Sequence, residues 1–304
     1  MHQVLPVLLV LCALVCGVWG STPVALLHGI FHGSEDMDNL TMWVDTYVPN
    51  VYSRNIEVHG GKMGSMFGNL SDYTADFARQ VKADPMLRSD EGKVNLVCHS
   101  QGALVCRGYA EMYAGMDGYP AVDTLVSLSG PHGGFFCGDE GCVLSDEPLA
   151  RMLVDCAADM LAYDTWAQEA VVPAGYWKDP FNITSYLEGS LYMPYVNNEI
   201  EHTDSRMYKD RLLSLSQLVL MGSPIDGVIV PPESAWFGFY TEGSAQEASV
   251  VYPWDDEQTW RQDPLGLRAL EDQGKVTYID SGLVHRGYLE NESFFVESIL
   301  PFLL

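Results

Sequence analysis

Four stretches of the chain carry residue types that could together transfer an acyl group. Val94-Asn95-Leu96-Val97-Cys98 is a mostly apolar run ending in His99-Ser100-Gln101-Gly102-Ala103. A serine between a buried strand and a helix, with glycine two residues on, exposes its hydroxyl on a tight turn as a nucleophile. The positions two before and two after must be small because the backbones crowd there; Gly102 fits, and Cys98 stands where glycine is usual but is still small. A tetrahedral intermediate needs two donors aimed at its oxyanion. One is the backbone N–H of Gln101; the other is expected from the loop His28-Gly29-Ile30-Phe31-His32-Gly33, at Ile30. A serine also needs a base, and the base needs a carboxylate to orient it. Leu218–Met221 leads into Gly222-Ser223-Pro224-Ile225-Asp226-Gly227, and Val276–Ile279 into Asp280-Ser281-Gly282-Leu283-Val284-His285. The candidate acid is Asp226 and the candidate base His285, the only histidine after His202. Asp280 is the second choice for the acid, and Asp226-Gly227 is also readable as a plain turn. His28 and His32 have the i,i+4 spacing of a metal pair but no third ligand, so no metal and no cofactor is expected. His99 is expected to point away from Ser100.

These residues need a scaffold that brings strand ends together. Val24–Leu27, Ile56–Val58, Val94–Cys98, Thr124–Leu128, Leu218–Met221 and Lys275–Ile279 read as strands. Helical spacing covers Met37–Tyr47, Tyr73–Lys82, Ala103–Tyr113 and Leu265–Gln273, with a closing helix after Asn291. The alternation predicts a mainly parallel sheet flanked by helices. Chain order Ser100, Asp226, His285 is that of the α/β-hydrolase fold. The alternation lapses over about residues 137–211, where only helical stretches occur, among them an apolar face at Leu149–Leu161. This segment is expected to be a helical lid inserted into one domain spanning 21–304.

The first twenty residues differ. Val4 to Val18 carries no charge and is nearly all apolar, and small residues flank Trp19, as in a signal peptide. The run is short for a membrane anchor, so no stable membrane span is expected. Four sequons, at Asn39, Asn69, Asn182 and Asn291, fit a glycoprotein of the secretory pathway. The formal charge of −25 argues against nucleic acid as a partner. Five cysteines follow the leader: Cys98, Cys106, Cys137, Cys142 and Cys156. An odd count leaves one without an intrachain partner.

The chain resembles the palmitoyl-protein thioesterases over nearly its whole length after the leader. The likeness lies in His28-Gly29, in Cys98-His99-Ser100-Gln101-Gly102 through Leu104-Val105-Cys106-Arg107, in Ser129-Gly130-Pro131-His132-Gly133-Gly134, in Tyr176-Trp177-Lys178-Asp179-Pro180, and above all in Trp236-Phe237-Gly238-Phe239-Tyr240. The resemblance implies hydrolysis of long-chain acyl thioesters, either S-acyl cysteine in proteins and peptides or acyl-CoA, in a lysosome or similar vacuole. It implies Ser100, Asp226 and His285 as the triad, a Cys98–Cys106 disulfide bracing the elbow, and Cys137–Cys142 as a second pair. Triad chemistry alone does not select a thioester. The alternatives are a lipase or carboxylesterase acting on oxyesters and, in another class, a catalytically silent binding module.

Overall fold

The computed structural model describes residues 20–137 and 162–304. The leader, Cys142, Cys156 and the Leu149–Leu161 face lie outside the described residues.

Eight strands are described: β1 Val24–Leu27, β2 Ser53–Ile56, β3 Lys93–His99, β4 Ala121–Leu128, β5 Gln217–Gly222, β6 Phe239–Tyr240, β7 Val250–Val251 and β8 Val276–Asp280. Six form one sheet in the order β2-β1-β3-β4-β5-β8, and all its pairings are parallel. This is the α/β-hydrolase fold that the alternation predicts. The inner strands are continuous apolar runs because helices cover both sheet faces. Successive residues split between the faces: Ala25, Leu27, Leu96 and Leu220 pack in one core with Phe77 and Tyr109, whereas Val24, Leu26, Val97 and Met221 pack in the other with Leu40 and Phe295.

The chain steps outward from β1 to β2, then returns past β1 to β3 and continues the other way. The carboxyl ends of β1 and β3 therefore flank a topological switch point, where open α/β sheets place their sites.

Two expectations are corrected. The second strand is Ser53–Ile56 rather than Ile56–Val58. Its polar start hides it in the sequence because β2 is an edge strand with one neighbour. The segment after Asn291 is not one regular helix but short turns, Glu292–Phe294, a wider π-type turn at Phe295–Ile299 and Leu300–Phe302, and Pro301 lies in the last. The β6–β7 hairpin was not anticipated; two-residue strands give no period to read. Between 162 and 213 the described helices are all short: Thr165–Ala170, Val172–Tyr176, Ile183–Gly189, Met193–Val196 and Ser205–Leu213.

One buried charge ties this helical segment to the sheet. Arg107, on the helix Gln101–Met112, has no exposed surface. It donates to Glu111 Oε1 at 3.3 Å, Val196 O at 3.2 Å and Asn197 Oδ1 at 2.7 Å, and lies 5.1 Å over the Phe237 ring. Burial outweighs Arg107 and pushes the Glu111 carboxyl up to about 7. Between the unfolded value of about 4.3 and that folded value, the native state holds more protons than the unfolded chain. Glu111 thus favours the fold below this window and loses that contribution as pH rises through it. Glu111→Gln is expected to flatten the decline of Tm between pH 4.5 and 7 relative to wild type, as read by calorimetry. Equal slopes in the two proteins would mean that Glu111 is ionised throughout.

Candidate active site

Ser100 joins β3 to the helix Gln101–Met112 with φ 56° and ψ −128°. A non-glycine residue there is strained by on the order of 1–3 kcal/mol. The surroundings enforce it. Its N–H donates to Leu128 O at 2.8 Å, and its carbonyl accepts from Ala103 N at 2.9 Å. A Cβ at Gly102 would lie 2.3 Å from the His28 carbonyl oxygen, and one at Gly29 would lie 2.8 Å from Ser100 Cβ. Cys98 is disulfide-bonded to Cys106 on the next helix, so the departure from glycine at the first small position serves a staple across the elbow. Cys137 is disulfide-bonded as well.

Asp226 and His285 follow β5 and β8. The imidazole Nδ1–H donates to Asp226 Oδ2 at 2.9 Å, and the His285 N–H to the Asp226 carbonyl at 3.3 Å. Asp226 Oδ1 accepts the N–H groups of Val228 and Ile229, both at 2.9 Å. Burial works to raise the Asp226 carboxyl, but His285, the Ile229 amide and the Ser129 hydroxyl together hold it below its ordinary range. Asp226 is therefore an ionised carboxylate fixed at both oxygens. Asp280, the other acid candidate, is exposed, and its carboxylate accepts from Gly282 N at 3.0 Å; His285 pairs with Asp226.

The structure brings Ser100, Asp226 and His285, all buried, to the same end of the sheet. The Ser100 hydroxyl makes no hydrogen bond among the described residues; such contacts commonly tighten only when substrate binds. Ile30, Ser100 and Gln101 line one narrow pocket with Pro131, Phe135, Pro173, Tyr176, Val228 and Ile229. The lining is chiefly apolar, with the serine at its polar end.

Two residues that sequence reasoning missed hold this site. Ser65 is buried; its Oγ accepts from Phe31 N at 2.8 Å and its carbonyl from Gln101 Nε2 at 3.1 Å. It thereby ties the loop after β1 to the residue after the nucleophile. His99, expected to point away from Ser100, packs against His285. Its ring centroid lies 4.7 Å from that of His285, and its Nε2–H donates to the His285 carbonyl at 2.9 Å. Burial, with His285 and His32 close by, keeps His99 well below the ordinary histidine range, hence neutral. The position of His99 next to Ser100 was the one available signal. His28 and His32 hold no metal arrangement: His28 Nδ1 bonds to Gly29 O at 2.9 Å, and His32 Nε2 contacts Arg286. Burial pushes His32 down to about 4. Among the described residues no cluster of three or more His, Cys, Asp or Glu could hold a metal ion.

The four sequon asparagines occupy defined positions. Asn69, Asn182 and Asn291 cap helices through Oδ1, accepting from Asp72, Ser185 and Phe294 N. Asn39 donates to Leu289 O at 3.0 Å.

A parallel sheet with a strained serine elbow and a carboxylate-paired histidine beyond the late strands defines a hydrolase of the α/β class. The family model for palmitoyl protein thioesterase matches residues 23–285, and the chain belongs to that family. Palmitoyl-protein thioesterase 3 of Dictyostelium discoideum is 33% identical over 99% of both chains. Lysosomal thioesterase PPT2-B of Xenopus laevis is 30% identical over 95% of this chain and 96% of its own. The human lysosomal thioesterase PPT2 is 28% identical over 92% and 87%.

Removing the His99 donor leaves a buried carbonyl unpaired directly beside the candidate base, a loss of about 1 kcal/mol. His99→Phe is expected to lower kcat by up to about tenfold with KM little changed, and His99→Gln, which keeps a donor, to recover most of it. Steady-state kinetics of the two variants check this; equal losses in both would assign His99 to packing alone.

Proposed function

We propose that the protein is a serine thioesterase that hydrolyses long-chain fatty acyl thioesters, S-palmitoyl cysteine in proteins or peptides or acyl-CoA, through an acyl-enzyme. Ser100 Oγ attacks the thioester carbonyl carbon while His285 takes its proton. The tetrahedral oxyanion is received by the N–H groups of Ile30 and Gln101. Collapse breaks the carbon–sulfur bond, and His285 returns the proton to the thiolate. Water, deprotonated by His285, attacks the acyl-serine; a second collapse restores Ser100 and releases the fatty acid. Asp226 holds the imidazole tautomer and stabilises the imidazolium. A thiol with pKa about 8.5 needs less acid assistance than an alcohol, so the triad alone would accept either ester.

The observation that carries this proposal is the Asp226–His285 pair at the same sheet end as a strained Ser100 that opens into an apolar pocket. Membership in the thioesterase family supplies the substrate class. The relatives named as lysosomal thioesterases and the disulfide, which requires an oxidising compartment, support a glycosylated, secretory-pathway protein delivered to a lysosome-like compartment. Among the described residues no helix is long and apolar enough to cross a membrane.

Wild type is expected to cleave palmitoyl-CoA and an S-palmitoyl peptide in preference to a matched oxyester, and Ser100→Ala to lose about 10³-fold or more of that activity. Faster oxyester turnover would make the enzyme a lipase-type esterase. Full activity in Ser100→Ala would remove Ser100 from the mechanism.

A further inference from the structure

A second pocket, apart from the candidate active site, opens at the free edge of the sheet. It is lined by Trp236, Tyr252, Trp254, Glu271, Tyr278 and Asp280. Tyr278 and Asp280 come from the edge strand β8, Glu271 from the helix Leu267–Asp272, and the other rings from the chain after Asp226. Tyr252 and Trp254 stack at 4.6 Å with planes 8° apart, and Tyr278 meets Trp254 edge to face at 5.1 Å. Trp236 is fixed by its indole N–H, which donates to Leu220 O at 3.1 Å. All four rings are half-buried rather than part of the sealed core. Glu271 lies near enough to Tyr278 to add to the effect of burial in raising its phenol.

Four aromatic rings beside two carboxylates suit one class of ligand. Ring faces attract cations, most strongly at tryptophan, and a guanidinium both stacks on rings and forks onto carboxylates. Among the described residues no lysine, arginine or histidine lines the pocket. Neither Glu271 nor Asp280 is in an ion pair with another described residue. Among the described residues the pocket thus sets four ring faces beside two carboxylates and holds no cationic side chain.

Register places it relative to Ser100. His99 pairs with Leu128, Leu128 with Met221, and Met221 with Ile279. The residues one further along, Ser100, Ser129, Gly222 and Asp280, therefore stand at one level across the sheet. Three strand spacings separate Ser100 from Asp280, about 14 Å at ~4.8 Å each. An extended peptide covers that distance in about four residues at ~3.3 Å each.

We propose that this pocket docks a basic side chain, arginine or lysine, standing about four residues from the acylated cysteine of a polypeptide substrate. The inference rests on the thioesterase function above and selects S-acylated polypeptides over acyl-CoA, whose phosphates would be repelled by Glu271 and Asp280.

The test uses two S-palmitoyl peptides identical except for arginine or glutamine four residues from the cysteine. Wild type is expected to show a kcat/KM ratio, arginine over glutamine, of roughly five to ten, carried by KM. In Glu271→Gln and in Trp254→Ala that ratio is expected to fall to about one. A wild-type ratio of one overturns the proposal without recourse to a variant, and so does a ratio that both folded variants retain. Binding is read separately from turnover by titrating the unacylated peptides into Ser100→Ala and following tryptophan fluorescence. Arginine-dependent quenching that Glu271→Gln abolishes supports the pocket even if no thioester is cleaved, an outcome that would reject the thioesterase function alone. Equal response to both peptides overturns the pocket.

Discussion

The site depends on holding Ser100 at a backbone angle that serine avoids. That conformation survives only because neighbouring elements leave no alternative. β3 lies inside the sheet between β1 and β4, so the elbow cannot relax downward. Gly29 and Gly102 let the first loop and the nucleophile helix close on it to distances that a single Cβ would forbid. Cys98 and Cys106 then join the strand before the turn to the helix after it. In the chain-entropy model a loop this short contributes somewhat under ~3 kcal/mol, the same order as the strain of about 1–3 kcal/mol at the serine. The loop after β1 belongs to the same assembly: Ser65 ties it to Gln101, so the candidate oxyanion donors and Ser100 are held as one unit.

Charge at the site is allotted by burial. Four histidines gather around the switch point, and three of them, His28, His32 and His99, are held low chiefly by desolvation. They stay neutral, so these three rings place no positive charge at the switch point. Arg286, next in the chain, is engaged by Asp36 and Glu290. Asp226 is the carboxylate directed at the imidazole, and its second oxygen is occupied by backbone amides, so it has little freedom to turn away.

Much of this was legible in the sequence because each part has a local signature. Ser100 with Gly102 lies between a buried strand and a helix, Asp226 beyond one late strand and His285 beyond the last, and these candidates meet at one end of the sheet. What stayed hidden depends on contacts between distant segments. Ser65 bridges two loops, and a lone serine carries no pattern. His99 was read as a bystander because only tertiary packing brings the His285 carbonyl onto its ring. The polar edge strand β2 and the two-residue strands β6 and β7 lack the apolar period that betrays an inner strand. The aromatic pocket draws on four separate places along the chain, and no single stretch announces it.

Acid pulls the two halves of the molecule in opposite directions. Glu111, buried against Arg107, favours the fold when protonated, and the formal charge of −25 relaxes its self-repulsion as carboxylates take up protons. Asp226 opposes this locally, because its lowered carboxyl contributes stability that is present at higher pH and is lost only as pH falls through its own depressed value. That window lies below the ordinary carboxylate range, so the Asp226–His285 pair outlasts most of the surface charge on acidification. In the proposed mechanism catalysis runs the other way, since an imidazole already carrying its proton cannot take one from Ser100.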